Sequence, residues 1–286
     1  MSIARQSALE RTSSREVTDW WATAVSDIEP GIIRLRGYPI EQMIGQVSFP
    51  EMIWLMVRGD LPSAGQAKLL EHALVAAVDH GPQAPSIAAA RMAATCGVGL
   101  HGAISTGVGL LGDIHGGAGQ QCMQLLEQIR TRSTDGDLDE VIAQTIADYR
   151  ATGRYIPGFG HRFHPRDPRR DPLLSAVHIQ VEAGSIDGHY LQIAEELERQ
   201  LAAGRARPVP MNIDGATAVI YAELGFAPEL GRGLFILSRS VGILAHSWEE
   251  REGGRRIKGP IPPPLLPTYT GAPPRSVPER APVAHG

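Results

Sequence analysis

With 286 residues, 43% of them hydrophobic and 20% charged, the chain has the makeup of a globular protein that can bury a sizeable core, as one large domain or two smaller ones. A formal net charge of −4 gives no electrostatic basis for a nucleic-acid partner, which calls for a clustered basic surface. The two cysteines, Cys96 and Cys122, cannot build a disulfide framework and neither belongs to a CxxC pair, so a reducing compartment is expected.

The first 21 residues lack the apolar core of a secretory signal, and a cytoplasmic protein is expected. Ser48 with Glu51 and Ser63 with Gln66 fit the capping box, in which side chains satisfy the free N–H groups of a first helical turn. The second box precedes Leu69, Leu70, Ala73, Leu74 and Ala77, spaced for one helical face. Residues 92–112 carry no charge, yet His101, Ser105, Thr106 and several glycines dilute them, so buried helices fit better than a membrane span. Gly97 to Gly102 and Gly107 to Gly112 both match G-x-G-x-x-G. With no strand pattern before them, they read as close helix packing rather than a dinucleotide loop.

Further helical patterns cover roughly 119–132, 138–150, 189–203, 215–224 and 229–250. Period-two alternation is nearly absent, so the expected fold class is all-α. From Gly259 onward the character changes, with nine of the 22 prolines between Pro260 and Pro282. That stretch cannot be helical; it is an arm laid over a neighbouring subunit or a solvated tail.

Three segments concentrate polar groups among glycines. His115 precedes Gly116-Gly117-Ala118 just before a helix start, where the imidazolium is disfavoured, so it suits a neutral donor to a carbonyl oxygen or a simple capping role. Pro157-Gly158-Phe159-Gly160-His161-Arg162, leading to Asp167-Pro168-Arg169, is a basic, glycine-rich loop fit for an anion and for proton transfer, or an ordinary surface loop. His161 and His164 could start a metal site, but no further ligands of suitable spacing complete it. Asp214, in Met211-Asn212-Ile213-Asp214-Gly215, is either a helix cap or a general base at a helix start. On the last long helix the middle is apolar nearly all round, which places Arg239 inside, where a guanidinium needs a carboxylate from the protein or from a substrate.

Taken together and in this order, His115-Gly-Gly-Ala118, Pro157-Gly-Phe-Gly-His-Arg162, Asp167-Pro-Arg169, Asn212-Ile-Asp-Gly215 and Ser238-Arg-Ser-Val-Gly242 resemble the citrate synthase family. Arg36-Gly-Tyr-Pro-Ile-Glu41, Ala245-His246 and Tyr269-Thr-Gly271 extend the likeness. Asp79-His80-Gly81, with Pro85-Ser86 and Arg91, is similar to a stretch of citryl-CoA lyases, short members of that family.

The resemblance implies an all-α fold with a large domain, residues 1–118 and 231–286, and a small domain, residues 119–230, in a homodimer. It implies Asp214 as the base that takes a methyl proton from acetyl-CoA, His115 as the donor to the enol, and His161 as the acid at the oxaloacetate carbonyl. His80, Arg169 and Arg239 would hold the carboxylates of oxaloacetate, and Gly158, Phe159 and Gly160 would lie against CoA. No cofactor or metal is implied beyond the CoA thioester itself, and no nucleic acid or membrane partner.

Two departures stand out. The family's HGGAN-E becomes His115-Gly-Gly-Ala-Gly119-Gln120, and the third carboxylate-binding arginine has no clear counterpart among Arg255, Arg256 and Arg275. The short length and the Asp79-His80-Gly81 segment favour citryl-CoA lyase. The alternatives are citrate synthase, which also hydrolyses the thioester, and a silent acyl-CoA-binding protein of the same fold.

Overall fold

The computed structural model describes residues 14–161, 164–262 and 264–276. Among them are twelve helices and one small sheet. In chain order these are α1 (Ser14–Trp20), β1 (Ser26–Glu29), β2 (Ile32–Leu35), β3 (Tyr38–Pro39), α2 (Ile40–Met43), α3 (Phe49–Arg58), α4 (Ala64–Ala77), α5 (Pro85–Thr95), α6 (Leu100–Val108), α7 (Ala118–Arg132), α8 (Leu138–Ala151), α9 (Arg170–Glu182), α10 (His189–Ala202), α11 (Ile213–Glu223) and α12 (Pro228–Glu252). The all-α class holds. No helix among the described residues is long and apolar enough to cross a membrane.

Both capping boxes form. Ser48 accepts from the Glu51 amide at 3.4 Å while Glu51 accepts from the Ser48 amide at 2.7 Å. Ser63 and Gln66 repeat the exchange at 3.3 and 2.9 Å. The antiparallel sheet β1-β2-β3 lies outside the sequence expectation, because strands of two to four residues are too short for a period of two to register. Its second turn, Arg36-Gly37, has both residues at positive φ, the geometry of a tight hairpin. The Arg36 side chain donates to the Met56 carbonyl at 2.7 Å, which pins the sheet to the end of α3.

The main core gathers Trp54, Leu69 and Leu70 with Leu126, Ile129, Ile142, Leu197, Met211 and Ile220. A smaller cluster of Ile87, Ala90, Leu111 and Ile243 joins α5 and α12. The end of α4 docks on α12 by polar contacts to its unpaired last-turn carbonyls. Ser238 donates to Leu74 O at 2.5 Å, Arg239 Nε to Ala77 O at 3.0 Å, and the Gly242 amide to Val78 O at 3.1 Å. Gly242 is required there, since a Cβ would collide with the Val78 carbonyl.

One expectation needs correcting: α12 is not covered all round. Leu230, Leu237, Val241, Leu244 and Trp248 form an outward stripe, 36–57% exposed. Arg239, on the other face, is inside at 5% exposure.

Beyond α12 the chain is not helical through the described residues up to 276, as its prolines require. A clamp holds its start: Glu250, with a fully buried side chain, pairs with Arg91 at 2.7 Å and Lys258 at 2.5 Å. Replacing Glu250 by Ala leaves Arg91 half-enclosed without a counter-charge and should cost about 3 kcal/mol, read as a lower midpoint in chemical denaturation.

Candidate active site

His115 ends the loop before α7, and its Nε2 faces the start of α5. There Nε2 accepts from the Ser86 amide at 3.2 Å and meets Ser86 Oγ at 2.9 Å. Ser86 is in the first turn after Pro85, where a backbone N–H has no partner within the helix, and it is fully buried. An amide N–H can only donate, so Nε2 is the unprotonated nitrogen and Nδ1 carries the proton. Burial, then the Arg239 charge, pushes the His115 pKa down, so the ring is neutral near pH 7. The Asp113 side chain of the same loop pairs with Arg232 at 2.5 Å, and its carbonyl accepts from Gln121 at 3.0 Å.

His161 is fixed in the opposite sense. Its Nδ1 accepts from the His164 amide at 3.0 Å, which places the ring proton on Nε2. Burial first, then the neighbouring His164 and Arg169, lowers its pKa against the pull of Asp167. The His80 ring meets that of His161 edge-on, with centroids 5.6 Å apart, and burial with Arg169 and Arg239 lowers its pKa too.

A seam of backbone bonds ties this loop to the start of α11. Phe159 and Met211 form a bridge, the Gly160 amide donates to Pro210 O at 2.7 Å, and the Asn212 amide to Gly158 O at 3.0 Å. Asn212 Nδ2 donates to Gly160 O at 2.6 Å, while its Oδ1 accepts from the Asp214 and Gly215 amides at 2.9 and 3.2 Å. Asn212 is therefore the helix cap, and the carboxylate of Asp214 is left for other work. The seam demands glycine: a Cβ on Gly158 would lie 2.7 Å from Cys122 Sγ and 2.8 Å from Gly215 Cα, and one on Gly215 would strike Gly158 O.

Asp167, with a fully buried carboxylate, grips Arg169 in two bonds of 2.9 and 2.8 Å and accepts from the Ile213 amide at 3.1 Å. Burial opposes its charge, but the Arg169 hydrogen bonds hold its carboxyl down to about 2. Arg239 stacks on Phe235 at 5.0 Å and donates through Nε; it has no carboxylate within ion-pair distance among the described residues. Burial raises the Asp214 pKa, against the charges of Arg169 and Arg239.

His80, His115, His161, His164 and Arg169 line one cavity of about 890 Å³ with Pro85. Asp214 and Arg239 do not line it, yet Asp214 feels the charge of Arg169 and His115 that of Arg239. A second cavity, about 550 Å³, shares His161 and adds Phe159, Gly160, Arg150, Arg154 and Arg205. Sequence reasoning gave these three arginines no role; Ser86 and Asp167 entered it only inside the Pro85-Ser86 and Asp167-Pro-Arg169 motifs, and His164 only as half of an incomplete metal site.

Residues 16–70 and 64–260 match the family model described as citrate synthase, C-terminal domain. The chain belongs to the citrate synthase family. It is similar to the citrate synthases of Acidithiobacillus ferridurans, 31% identical over 76% of this chain and 53% of that one, and of Haloferax volcanii, 29% identical over 71% and 52%. The chain thus spans about half the length of these curated relatives. Among solved structures it is similar to a citryl-CoA lyase from Hydrogenobacter thermophilus, with a TM-score of 0.79 and 30% identity over 90% of this chain and 97% of that one. A likeness to an ATP citrate lyase from Methanothrix soehngenii, solved with citrate and coenzyme A, has a TM-score of 0.75 at 18% identity, covers 95% of this chain and 45% of that one, and bears on the fold alone.

Because burial raises Asp214, exchanging it for Asn removes a cost that the folded protein carries above the carboxyl's unfolded pKa. Asp214→Asn should raise the thermal midpoint at pH 7, with the gain vanishing below the ordinary aspartate value of 3.8.

Proposed function

We propose that this chain is an enzyme that makes and breaks the carbon–carbon bond of citryl-CoA, with cleavage to acetyl-CoA and oxaloacetate as its main reaction. The observation that carries this reading is the pair of neutral histidines, His115 and His161, held by backbone amides in defined tautomers at one cavity beside Arg169. Similarity to a short citryl-CoA lyase over nearly its whole length favours cleavage over a complete synthase.

In the condensing direction Asp214 takes a proton from the methyl group of acetyl-CoA. That proton is weakly acidic, so the step proceeds only if the charge developing on the thioester oxygen is met by a donor, and Nδ1–H of His115 is that donor. The enol carbon attacks the carbonyl carbon of oxaloacetate, while Nε2–H of His161 supplies the proton to the forming hydroxyl and the proton taken up by Asp214 passes to that ring, so that none is gained or lost overall. Cleavage runs the same steps backward. Arg239 and Arg169, with His80, hold the carboxylates. Arg239, a buried guanidinium with no carboxylate paired to it among the described residues, is suited to a substrate carboxylate. Positioning of this kind contributes on the order of 7–11 kcal/mol to barrier lowering.

CoA would run past Gly158, Phe159 and Gly160, with its phosphates towards Arg150, Arg154 and Arg205 of the second cavity. Residues 119–230 would close as a small domain on the rest, bringing Asp214 to the wall of the first cavity and excluding water. The exposed stripe on α12 would be covered by a second copy in a homodimer, and the unpaired Cys96 and Cys122 suit a reducing cytoplasm.

The reaction is tested by giving the protein citryl-CoA and following acetyl-CoA, oxaloacetate and free CoA. Acetyl-CoA and oxaloacetate in equal amounts are expected; free CoA with citrate instead would make it a synthase. Asp214→Ala should lower turnover by roughly 10²–10⁴-fold.

The pH profile follows from the shifts. Acidification removes activity by protonating Asp214, raised above 3.8, and the histidines, lowered below 6.5. The acid limb of kcat/KM should therefore lie above 3.8, and a ring of His115 or His161 that titrates above 6.5 by NMR would contradict the neutral-histidine assignment.

A further inference from the structure

His80 stands in the cavity on a turn between α4 and α5 that has no helix or strand to stiffen it. Its two chain neighbours are held by one carboxylate. Asp79 Oδ2 accepts from the Gly81 amide at 3.1 Å, and Gly81 takes the positive φ of 85° that the turn needs. The same carboxylate meets the ring of His246 on α12, with Nε2 at 3.3 Å from Oδ2 and also 3.3 Å from Oδ1.

His246 follows Arg239 by seven residues and Gly242 by four, so the three share one face of α12. That face receives the end of α4 and the turn after it. Oδ1 is buried with no hydrogen-bond partner of its own, so the Gly81 amide and the His246 ring orient the carboxylate together, through Oδ2. On the other side of the imidazole, Nδ1 lies 3.7 Å from Glu249 Oε2.

We propose that His246 and Asp79 are a positioning pair: Nε2–H of His246 fixes the Asp79 carboxylate, which sets the turn 79–81 and so aims His80 at the substrate. Resting on the reading that His80 contacts a dicarboxylate, it assigns a task to two residues that touch neither substrate nor reacting atoms. A purely structural role would be felt throughout the protein. Here the contacts of the carboxylate converge on the residues either side of His80, so the effect is confined to the acid half of the site.

The test uses the full chain and calorimetric titration with oxaloacetate and, separately, acetyl-CoA. His246→Leu should weaken oxaloacetate binding about 10-fold, the effect of one lost hydrogen bond to a charged group, and leave acetyl-CoA binding as it was. His246→Gln, whose amide nitrogen reaches the place of Nε2, should restore most of the loss. Asp79→Ala should match the Leu variant, and the double variant should be no worse than Asp79→Ala alone, as for residues acting through one another. Wild-type oxaloacetate affinity in both His246→Leu and Asp79→Ala overturns the proposal. So does an equal loss for both ligands, or a Gln variant as poor as Leu. A wild-type protein that binds acetyl-CoA but no oxaloacetate overturns the functional reading itself, and the pair's role with it.

Discussion

The site rests on backbone amides that choose where histidine protons sit. A neutral imidazole has one donor and one acceptor nitrogen, and nothing in the ring decides which is which. The Ser86 amide decides it for His115, and the His164 amide for His161. Each amide can only donate, so each ring presents its N–H on the side away from it. Changing either arrangement means moving the first turn of α5 or the loop after Gly160.

That arrangement depends in turn on the seam between the loop 158–169 and the start of α11. Asn212 bonds both to the loop and to its own helix, and Asp167 bonds both to Arg169 and to the Ile213 amide. Histidine loop, carboxylate-bearing helix and the Arg169 guanidinium are therefore bonded to one another. The DPR sequence is compact because its aspartate and arginine form a ring with each other. The aspartate's low pKa keeps that ring charged and closed near neutral pH.

The long helices were legible because capping boxes and one-sided apolar spacing are local signals, as in α3, α4, α7, α8 and α10. Helix α9 is not announced: Arg170-Asp171-Pro172 reads as the tail of a loop, and Pro172 is tolerated only because it falls in the first turn. Of the site, the residue types, their order and the neutrality of His115 could be read from sequence, but which ring nitrogen of each histidine carries the proton could not. Asp214 was ambiguous between cap and base, since Asn212 two places earlier can cap as well, and only the geometry gives that task to Asn212. Ser86 and His246 act across 29 and 167 residues of chain, distances at which no sequence period applies.

Cys122 shows what such close packing implies. Its sulfur is fully enclosed beneath Gly158, against the backbone of α11 and near Asp214, and burial holds the thiol well above its usual range. A thiol that does not ionise is a poor target for peroxide or electrophiles. Even one added oxygen atom would have to prise the Phe159 loop from its helix. The tight fit between the Phe159 loop and α11 thus also shields an oxidisable atom beneath it, and an oxidant could reach it only through molecules already partly unfolded.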